Sequence, residues 1–479
     1  MKRGWAWLVL AVMVTVFLGC VPRRLFWSPD GRHGAVIGTE GLYLCDPQGR
    51  LSEPVATNVE LVAWFPDSRE FIAVQAESPG LATWEEALPL IPEQRRSELI
   101  ALAEQFRAEV FAYQGRWRDF KPSFRDQLTG GELVALFLYM RDHRNEGLPE
   151  KFGDDWETMK ALRLVPRRLQ TYEVTEDGAR PGRVIATLLE TLLDLRISPD
   201  GRAVAVTVSI PSNVDDGLAL GRLLLFATQE NRPPVIVANH VSAYSDWSPD
   251  GRFLYYGTTR TPPTEDRGAP VLGSLTRRQV VDDAGRLMTE LPKPEDLVGL
   301  MFWSRMKVRC LVDGRVLFST CEVSLPVTTA EMPQQIGLFV IDPDRQPTVS
   351  RILPRTAAAD LEGLSLGEFE LSPDGRRLVA TDASSGVSVL TLATGQVDVV
   401  IPSEGTDNLP SMPAWRTAEE LTVMVPAKAQ YGSPDRPEVL RFAVGRDIRF
   451  SGSISRDWPD LFRKPESPAT APASVPADQ

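Results

Sequence analysis

Histidine and cysteine are scarce in this chain: three of the former and four of the latter in 479 residues. None of them is grouped, since there is no Cys-x-x-Cys pair and no His-Glu-x-x-His run, which excludes a zinc ribbon, a thioredoxin-type redox pair and a zincin site. A Walker phosphate loop and a Rossmann fingerprint are missing too. Basic excess is also absent. Lys and Arg number 52 against 64 Asp and Glu, a formal charge of −12, and the balance becomes −14 once Lys2 and Arg3 are set aside with the leader. An acidic chain of this kind is not expected to bind nucleic acid or an anionic membrane surface through bulk charge. No long apolar span is present either, because the run from Gly4 to Leu18 is shorter than the ~20 residues a transmembrane helix needs.

What is present is a repeat. WSPDGR at 27–32 returns as WFPDSR at 64–69, ISPDGR at 197–202, WSPDGR at 247–252 and LSPDGR at 371–376. Weaker echoes occur at Phe302-Trp303 with Val312 to Arg315, and at Ala414 to Thr417. Each copy follows one physical scheme. Pro29, Pro66, Pro199, Pro249 and Pro373 pre-set the first turn position and cannot extend a ladder. Asp30, Asp67, Asp200, Asp250 and Asp374 can capture nearby backbone amides, and Gly31, Gly201, Gly251 and Gly375 supply a residue at φ > 0. Short runs rich in Val, Ile, Tyr and Ala follow, as at 203–209 and 253–258, and read as half-buried strands. A second signature, GLYLCDPQGR at 41–50 and GLFVIDPDRQ at 337–346, adds a strand closed by a polar turn. The unit is a four-stranded meander, and its repetition predicts an all-β propeller whose blades take about 40–50 residues each.

The turn aspartates are 37, 133, 50, 63 and 61 residues apart. Seven blades are expected, or six if the worn copies belong to one blade or to ring closure. The 133-residue gap holds about 90 residues beyond one blade. They read as helices placed inside the second blade: Leu99, Leu102, Phe106, Val110 and Tyr113 share one face, and Thr129 with Glu132 forms a capping box before the apolar run 133–140. A short third helix is expected from Trp156 to Leu162. The predicted organisation is a leader at 1–20, propeller at 21–78, helical insertion at 79–168, propeller again at 169–458, and a Pro-, Ala- and Ser-rich disordered tail at 459–479.

The Trp-Ser-Pro-Asp-Gly-Arg turn with its following apolar strands resembles the Pro-Asp class of WD-repeat-like propeller repeat found in the propeller domain of TolB and its relatives. The resemblance covers residues 22–455 apart from the insertion, and implies the fold. It does not extend to TolB's separate N-terminal domain, which this chain lacks.

Lys2 and Arg3, the apolar run and Val16-Phe17-Leu18-Gly19-Cys20 form a secretory signal with a lipoprotein cleavage box, so Cys20 is the expected lipidation site. Val21 in place of an Asp points to the outer membrane, facing the periplasm. The remaining cysteines, Cys45, Cys310 and Cys321, read as buried thiols. If Asp313-Gly314 is a two-residue hairpin turn, Cys310 faces Leu317.

His33, His143 and His240 are scattered, and a structural or solvent-facing role is expected for each. The α/β-hydrolase half that accompanies a propeller in prolyl-peptidase architecture is not expected. The repeated aspartates are attributed to turn chemistry, and Trp27, Trp64, Trp247, Trp303 and Trp415 to packing between blades. No catalytic residue, metal site or cofactor is predicted. The expected function is that of a lipid-anchored envelope scaffold which binds envelope proteins or cell-wall components through the propeller faces and the insertion. The alternative is an enzyme or carbohydrate-binding protein with a site in the central channel.

Overall fold

The computed structural model describes residues 24–114, 120, 122–124, 127–210, 220–230, 232–259, 271–302, 306–320, 337–345, 350–351, 369–382, 386–402, 413–425, 438–458 and 461–462. Cys20, Trp303, Cys321 and the tail from 463 lie outside them.

Among the described residues twenty-six strands pair antiparallel, each with its sequence neighbours, into six sheets. The first holds β1 (Leu25–Trp27), β2 (Gly34–Ile37) and β3 (Leu42–Cys45). The second holds β4 (Val59–Trp64), β5 (Glu70–Ala76), β6 (Arg167–Thr175) and β7 (Gly178–Leu188). The third has seven strands: β8 (Leu192–Ile197), β9 (Ala203–Ile210), β10 (Leu220–Ala227), β11 (Val235–Trp247), β12 (Phe253–Thr259), β13 (Leu272–Gln279) and β14 (Glu295–Met301). Strand β11 serves twice. Its first half pairs with β10 and its second with β12, and the change of partner falls beside His240, whose φ is 55°. Three four-stranded sheets follow. They are β15 (Val308–Cys310), β16 (Val316–Thr320), β17 (Gly337–Ile341) and β18 (Ser350–Arg351); β19 (Phe369–Leu371), β20 (Arg377–Asp382), β21 (Gly386–Thr391) and β22 (Gln396–Ile401); and β23 (Ala414–Thr417), β24 (Glu420–Val425), β25 (Glu438–Val444) and β26 (Ile448–Ser453).

The first strands of these sets meet one another in ring order. β1 touches β4, β4 touches β8, β8 touches the second user of β11, β11 touches β15, β19 touches β23, and β23 returns to β1. Between them lie apolar layers shared by neighbouring sets, such as Ile72, Val74 and Leu169 with Val204, Val206 and Leu224. Among the described residues no strand is exchanged between the chain's two ends, because β1–β3 and β23–β26 are separate sheets.

Each Pro-Asp copy is a self-contained hydrogen-bonded turn. Asp30, Asp67, Asp200, Asp250 and Asp374 each accept the amide of the Arg two residues on, at 3.0–3.1 Å. In the four copies that begin with Ser, that hydroxyl donates to the same carboxylate and accepts the amide five residues on, as Ser198 does with Asp200 at 2.6 Å and Ala203 at 3.0 Å; the second copy has Phe65 there. Gly31, Gly201, Gly251 and Gly375 have φ between 67° and 74°, and where the second copy lacks Gly, Ser68 adopts φ 62° instead. Asp313 and Gly314 belong to a turn closed by Leu311 and Arg315, one residue shorter than the Ser28-to-His33 closure of the intact copies and one longer than a two-residue hairpin. The register therefore shifts by one, so Cys310 faces Val316 and it is Arg309 that faces Leu317. The fifth copy's counterpart of the Trp is thus Cys310; Trp303, assigned to the series from sequence, precedes that strand.

Between β5 and β6 the chain forms helices α1 (Trp84–Ala87), α2 (Glu93–Ala112), α3 (Gly130–His143), α4 (Leu148–Phe152) and α5 (Trp156–Lys160). Thr129 caps α3 with the reciprocal Glu132 bond. Along α2, Leu99, Ala103, Phe106 and Val110 are buried against Leu136, Phe137, Leu138 and Met140 of α3. A bridge between Leu81 and Leu164 closes the neck, and β6 begins at Arg167, inside the stretch 79–168 assigned to the insertion from sequence.

Candidate functional site

The repeated tryptophans sit at the ends of first strands and reach across to the preceding set. Trp64 Nε1 donates to the Phe26 carbonyl at 2.9 Å, Trp247 Nε1 to that of Arg196 at 3.1 Å, and Trp415 Nε1 to that of Glu370 at 3.1 Å. In every case the acceptor is the next-to-last residue of a first strand. At the junction of the two chain ends the same latch runs through a hydroxyl: Trp27 Nε1 donates to Thr422 Oγ1 at 2.8 Å, and Thr422 Oγ1 donates to the Ala414 carbonyl at 3.0 Å. A ring of radial antiparallel sheets latched at one repeated position is decisive. The chain is a β-propeller.

With the propeller's copies aligned on these latches, the acceptor position around the channel reads Phe26, Ala63, Arg196, Asp246, Arg309, Glu370 and Ala414. Arg196, Asp246, Arg309 and Glu370 therefore place charges of alternating sign there, and Phe26, Ala63 and Ala414 are apolar. Asp194 and Lys307 lie two residues before Arg196 and Arg309, and complete a set of three cations and three carboxylates. Arg196 pairs with Asp194 at 3.1 Å, Lys307 with Glu370 at 3.1 Å, and Arg309 with Glu370 at 3.5 Å. Asp246 Oδ2 accepts the Cys310 amide at 2.9 Å. Lys307 also lies 5.0 Å above the Tyr244 ring and 5.6 Å above that of Phe369.

Burial sets the electrostatics. It pushes the Asp246 carboxyl above its usual range, against the pull of Arg309, Arg196 and the amides of Cys310 and Trp247. Burial works against the Arg196 charge as well, but the carboxylates of Asp194, Glu370 and Asp246 outweigh it and hold the guanidinium more firmly protonated than usual. The Cys310 thiol is pushed up by burial and then by Asp246. Lys307 and Arg309 are among the most buried charged groups described, at 1% and 4% exposure, so removing Glu370 alone would strand two buried cations. Arg309 Nε and Nη2 have no hydrogen-bond partner.

Ile197, Cys310 and Leu371 stand in place of the latch tryptophan, and at the last two the Cys310–Asp246 bond and the Lys307–Arg309–Glu370 pairs join neighbouring first strands instead. The arrangement is charge-balanced and binds strand to strand. Its residues were not singled out from sequence; the signal was a charged residue inside an otherwise apolar first strand, as in DLRI, SDW and FEL.

The residues that were singled out stay apart. Pro29, Asp30, Gly31, Pro66, Asp67, Pro199, Asp200, Gly201, Pro249, Asp250, Gly251, Pro373, Asp374 and Gly375 each serve their own turn, with the carboxylates engaged locally. Among the described residues no three His, Cys, Asp or Glu side chains form a metal-binding group. His33 stacks 6.4 Å from Trp64, His143 pairs with Glu85 at 2.9 Å, and His240 marks the bend in β11. Cys45 lies in the core joining the chain ends, its thiol pushed up by burial. Gly363-Leu364-Ser365-Leu366-Gly367 has the spacing of a nucleophile elbow, which the reading of the sequence overlooked. It lies outside the described residues, and the chain continues into β19 and not into the helix an elbow requires.

The sequence matches no family model and no curated protein. Its fold is similar to that of a TolB-type protein from Agrobacterium tumefaciens, at 13% identity and TM-score 0.35, over 56% of this chain and 83% of that one. It is also similar to the propeller domain of the Trilobed protease from Pyrococcus furiosus, described as having an open velcro topology, at 8% identity and TM-score 0.46, over 90% and 97%. Prolyl oligopeptidase B from Galerina marginata is similar at 9% identity and TM-score 0.47, over 93% of this chain and 52% of that one. These are likenesses of fold type alone.

Proposed function

We propose that the chain is an exported, Cys20-lipidated scaffold of the bacterial envelope, a seven-bladed propeller that binds partner proteins through its helical insertion. In the count of seven, β11 serves two blades and residues 51–56 edge the first through the Cys45–Leu51 and Leu42–Ala56 bridges.

The observation that carries this reading is the insertion's independence. It has its own core of Trp84, Leu99, Phe106, Leu136, Phe137 and Phe152, it leaves the β5–β6 register intact from Glu70 to Ala76, and its neck closes at Leu81–Leu164. Leu189 is the propeller residue that joins that core, and Thr129 Oγ1 donates to Glu190 at 3.0 Å beside it. A ring latched elsewhere does not need such a unit to fold, which leaves its outer surface for recognition. The apolar helix α3 is spent on the insertion's own core, so the recognising surface is the polar outside of α2 with Ile100 and Phe111, each 39% exposed.

Replacing residues 82–163 by a short Gly-Ser linker, which keeps the Leu81–Leu164 bridge, is expected to give a folded, membrane-attached propeller that no longer captures its protein partners. An unfolded product overturns the insertion's independence, and partner capture by a folded product moves recognition to the propeller faces. A channel ligand is the second reading, favoured by Arg309 Nε, which has no hydrogen-bond partner among the described residues; it predicts that Arg309→Lys abolishes binding of that ligand with folding retained.

A further inference from the structure

The antiparallel order gives the propeller two unequal faces. Each first strand runs to its Pro-Asp turn, and these turns neighbour one another: the Asp30 amide donates to Ser68 Oγ at 3.1 Å, a Cβ on Gly251 would lie 3.6 Å from Pro199 Cδ, one on Gly375 would lie 3.7 Å from Val312, and Arg416 Nη1 donates to the Gly31 carbonyl at 2.9 Å. They form one face of short turns.

The second strand of each blade runs back to the other face, and the links to the third strand leave from there. Those links include 77–166, which holds the described helices, and the chain leaves the same face after Ile210, Thr259, Thr320 and Val425. Both described ends of the chain lie at the same face. Leu25 begins β1 opposite its turn, the Arg24 guanidinium sits 5.8 Å over the Phe462 ring, and the Thr39 amide donates to the Leu461 carbonyl at 2.5 Å.

Four residue steps separate Cys20 from Arg24, a reach of at most about 14 Å. We propose that the face carrying the helical insertion and the two described chain ends lies against the lipid bilayer, and that the Pro-Asp turn face points away from it. The inference rests on the lipid anchoring of Cys20 proposed above. The tether is too short to let the ring turn over, because a blade's strands and turns are themselves longer than its slack. A partner recognised by the insertion is then one presented at the membrane surface.

The test uses the full acylated chain with Cys321→Ser, since Cys45 is buried and Cys310 half-buried, and both thiols are held up in pKa and so resist labelling. A fluorophore is attached at Glu40→Cys, on the exposed link between β2 and β3, or at Val312→Cys, 74% exposed on the turn face. Each protein is reconstituted in phosphatidylethanolamine–phosphatidylglycerol vesicles carrying a headgroup nitroxide quencher. The expected result is quenching at least twofold stronger at Glu40→Cys than at Val312→Cys. Equal or reversed quenching of a protein that floats with the vesicles overturns the orientation and leaves the anchor standing. A protein that neither floats nor takes an acyl label at Cys20 overturns the anchor, and the orientation with it.

Discussion

Two seams of the ring solve the same problem differently. Within the seven-stranded sheet one backbone does the joining: β11 pairs with β10 through its first half and with β12 through its second, with a bend at His240 in between. Where the described ends of the chain meet, no strand is shared among the described residues, and side chains do the joining. Leu25, Trp27, Val36, Tyr43 and Cys45 pack with Ala414, Met424, Val439, Ile454, Trp458 and Leu461. Trp458 Nε1 donates to the Gly49 carbonyl at 2.6 Å, Arg441 reaches the Pro47 carbonyl, and Trp27 is relayed through Thr422. The difference teaches that closure here is a packing event between segments about 400 positions apart, so it carries a loop-closure cost that the continuous seam does not.

The largest break in the comparison is expected from ending the chain after Ser453. This removes Ile454, Trp458 and Leu461 from the closing core, a loss of about 8 kcal/mol by analogy with large-to-small core changes, comparable to a domain's whole stability. Circular dichroism should show loss of the cooperative melt, whereas a chain ending after Phe462 should melt like the full protein. A native-like melt for the first truncation would mean that the seam does not depend on the terminal segment.

Equivalent turn glycines sharpen the contrast. Gly31 and Gly251 have φ of 67° and 71°, so alanine is strained equally at both. At Gly31, however, the new Cβ would lie 2.5 Å from the Arg416 carbonyl across the closing seam, against 3.6 Å from Pro199 Cδ at Gly251. Gly31→Ala is expected to cost about 3 kcal/mol and Gly251→Ala about 1 kcal/mol in urea unfolding. Equal costs would show that backbone strain alone matters there.

The latches themselves give a smaller effect. Trp27→Phe and Trp247→Phe each remove one indole donor and should cost about 1 kcal/mol. Thr422→Val should remove most of the first effect and none of the second, which a double-mutant cycle reads directly. Additivity of Trp27→Phe with Thr422→Val would exclude the relay.

The smallest effect is on pH. Burial opposes ionisation of Asp30 and Asp374, but hydrogen bonds from Ser28 and Ser372 and from the amides of Arg32 and Arg376 win, so both carboxyls titrate below the usual range. Their stabilisation is therefore present above the ordinary carboxyl pKa of about 4 and is lost as pH falls through the lowered values. Asp246 has the opposite sign: raised by burial, it favours the folded state more as pH falls toward its folded pKa. Asp30→Asn, at the closing seam, and Asp374→Asn, away from it, should flatten the acid limb of the melting temperature by similar amounts. A steeper limb in either variant would contradict the turn assignment.

The blade was legible in the sequence because its instructions are local. Proline fixes one dihedral, aspartate reaches an amide two residues on, and glycine takes a positive φ, all within six residues and without help from the rest of the chain. The capping box at Thr129 and Glu132 was legible for the same reason. The hairpin drawn at Asp313-Gly314 failed by one residue because the worn copy, which has lost its Ser and Pro, closes from Leu311 to Arg315, a turn one residue longer than a two-residue hairpin and one shorter than the intact copies. What only the tertiary structure decided is how distant copies meet. Arg196, Asp246, Arg309 and Glu370 are roughly fifty to sixty positions apart, and each looks like an isolated charge in an apolar strand. They become one alternating row only when the ring sets their strands side by side, and there burial turns separate surface-type charges into mutually dependent ones. The pairing of Trp27 with Thr422 is of the same kind: no local pattern specifies it, since it exists only once the ring has closed.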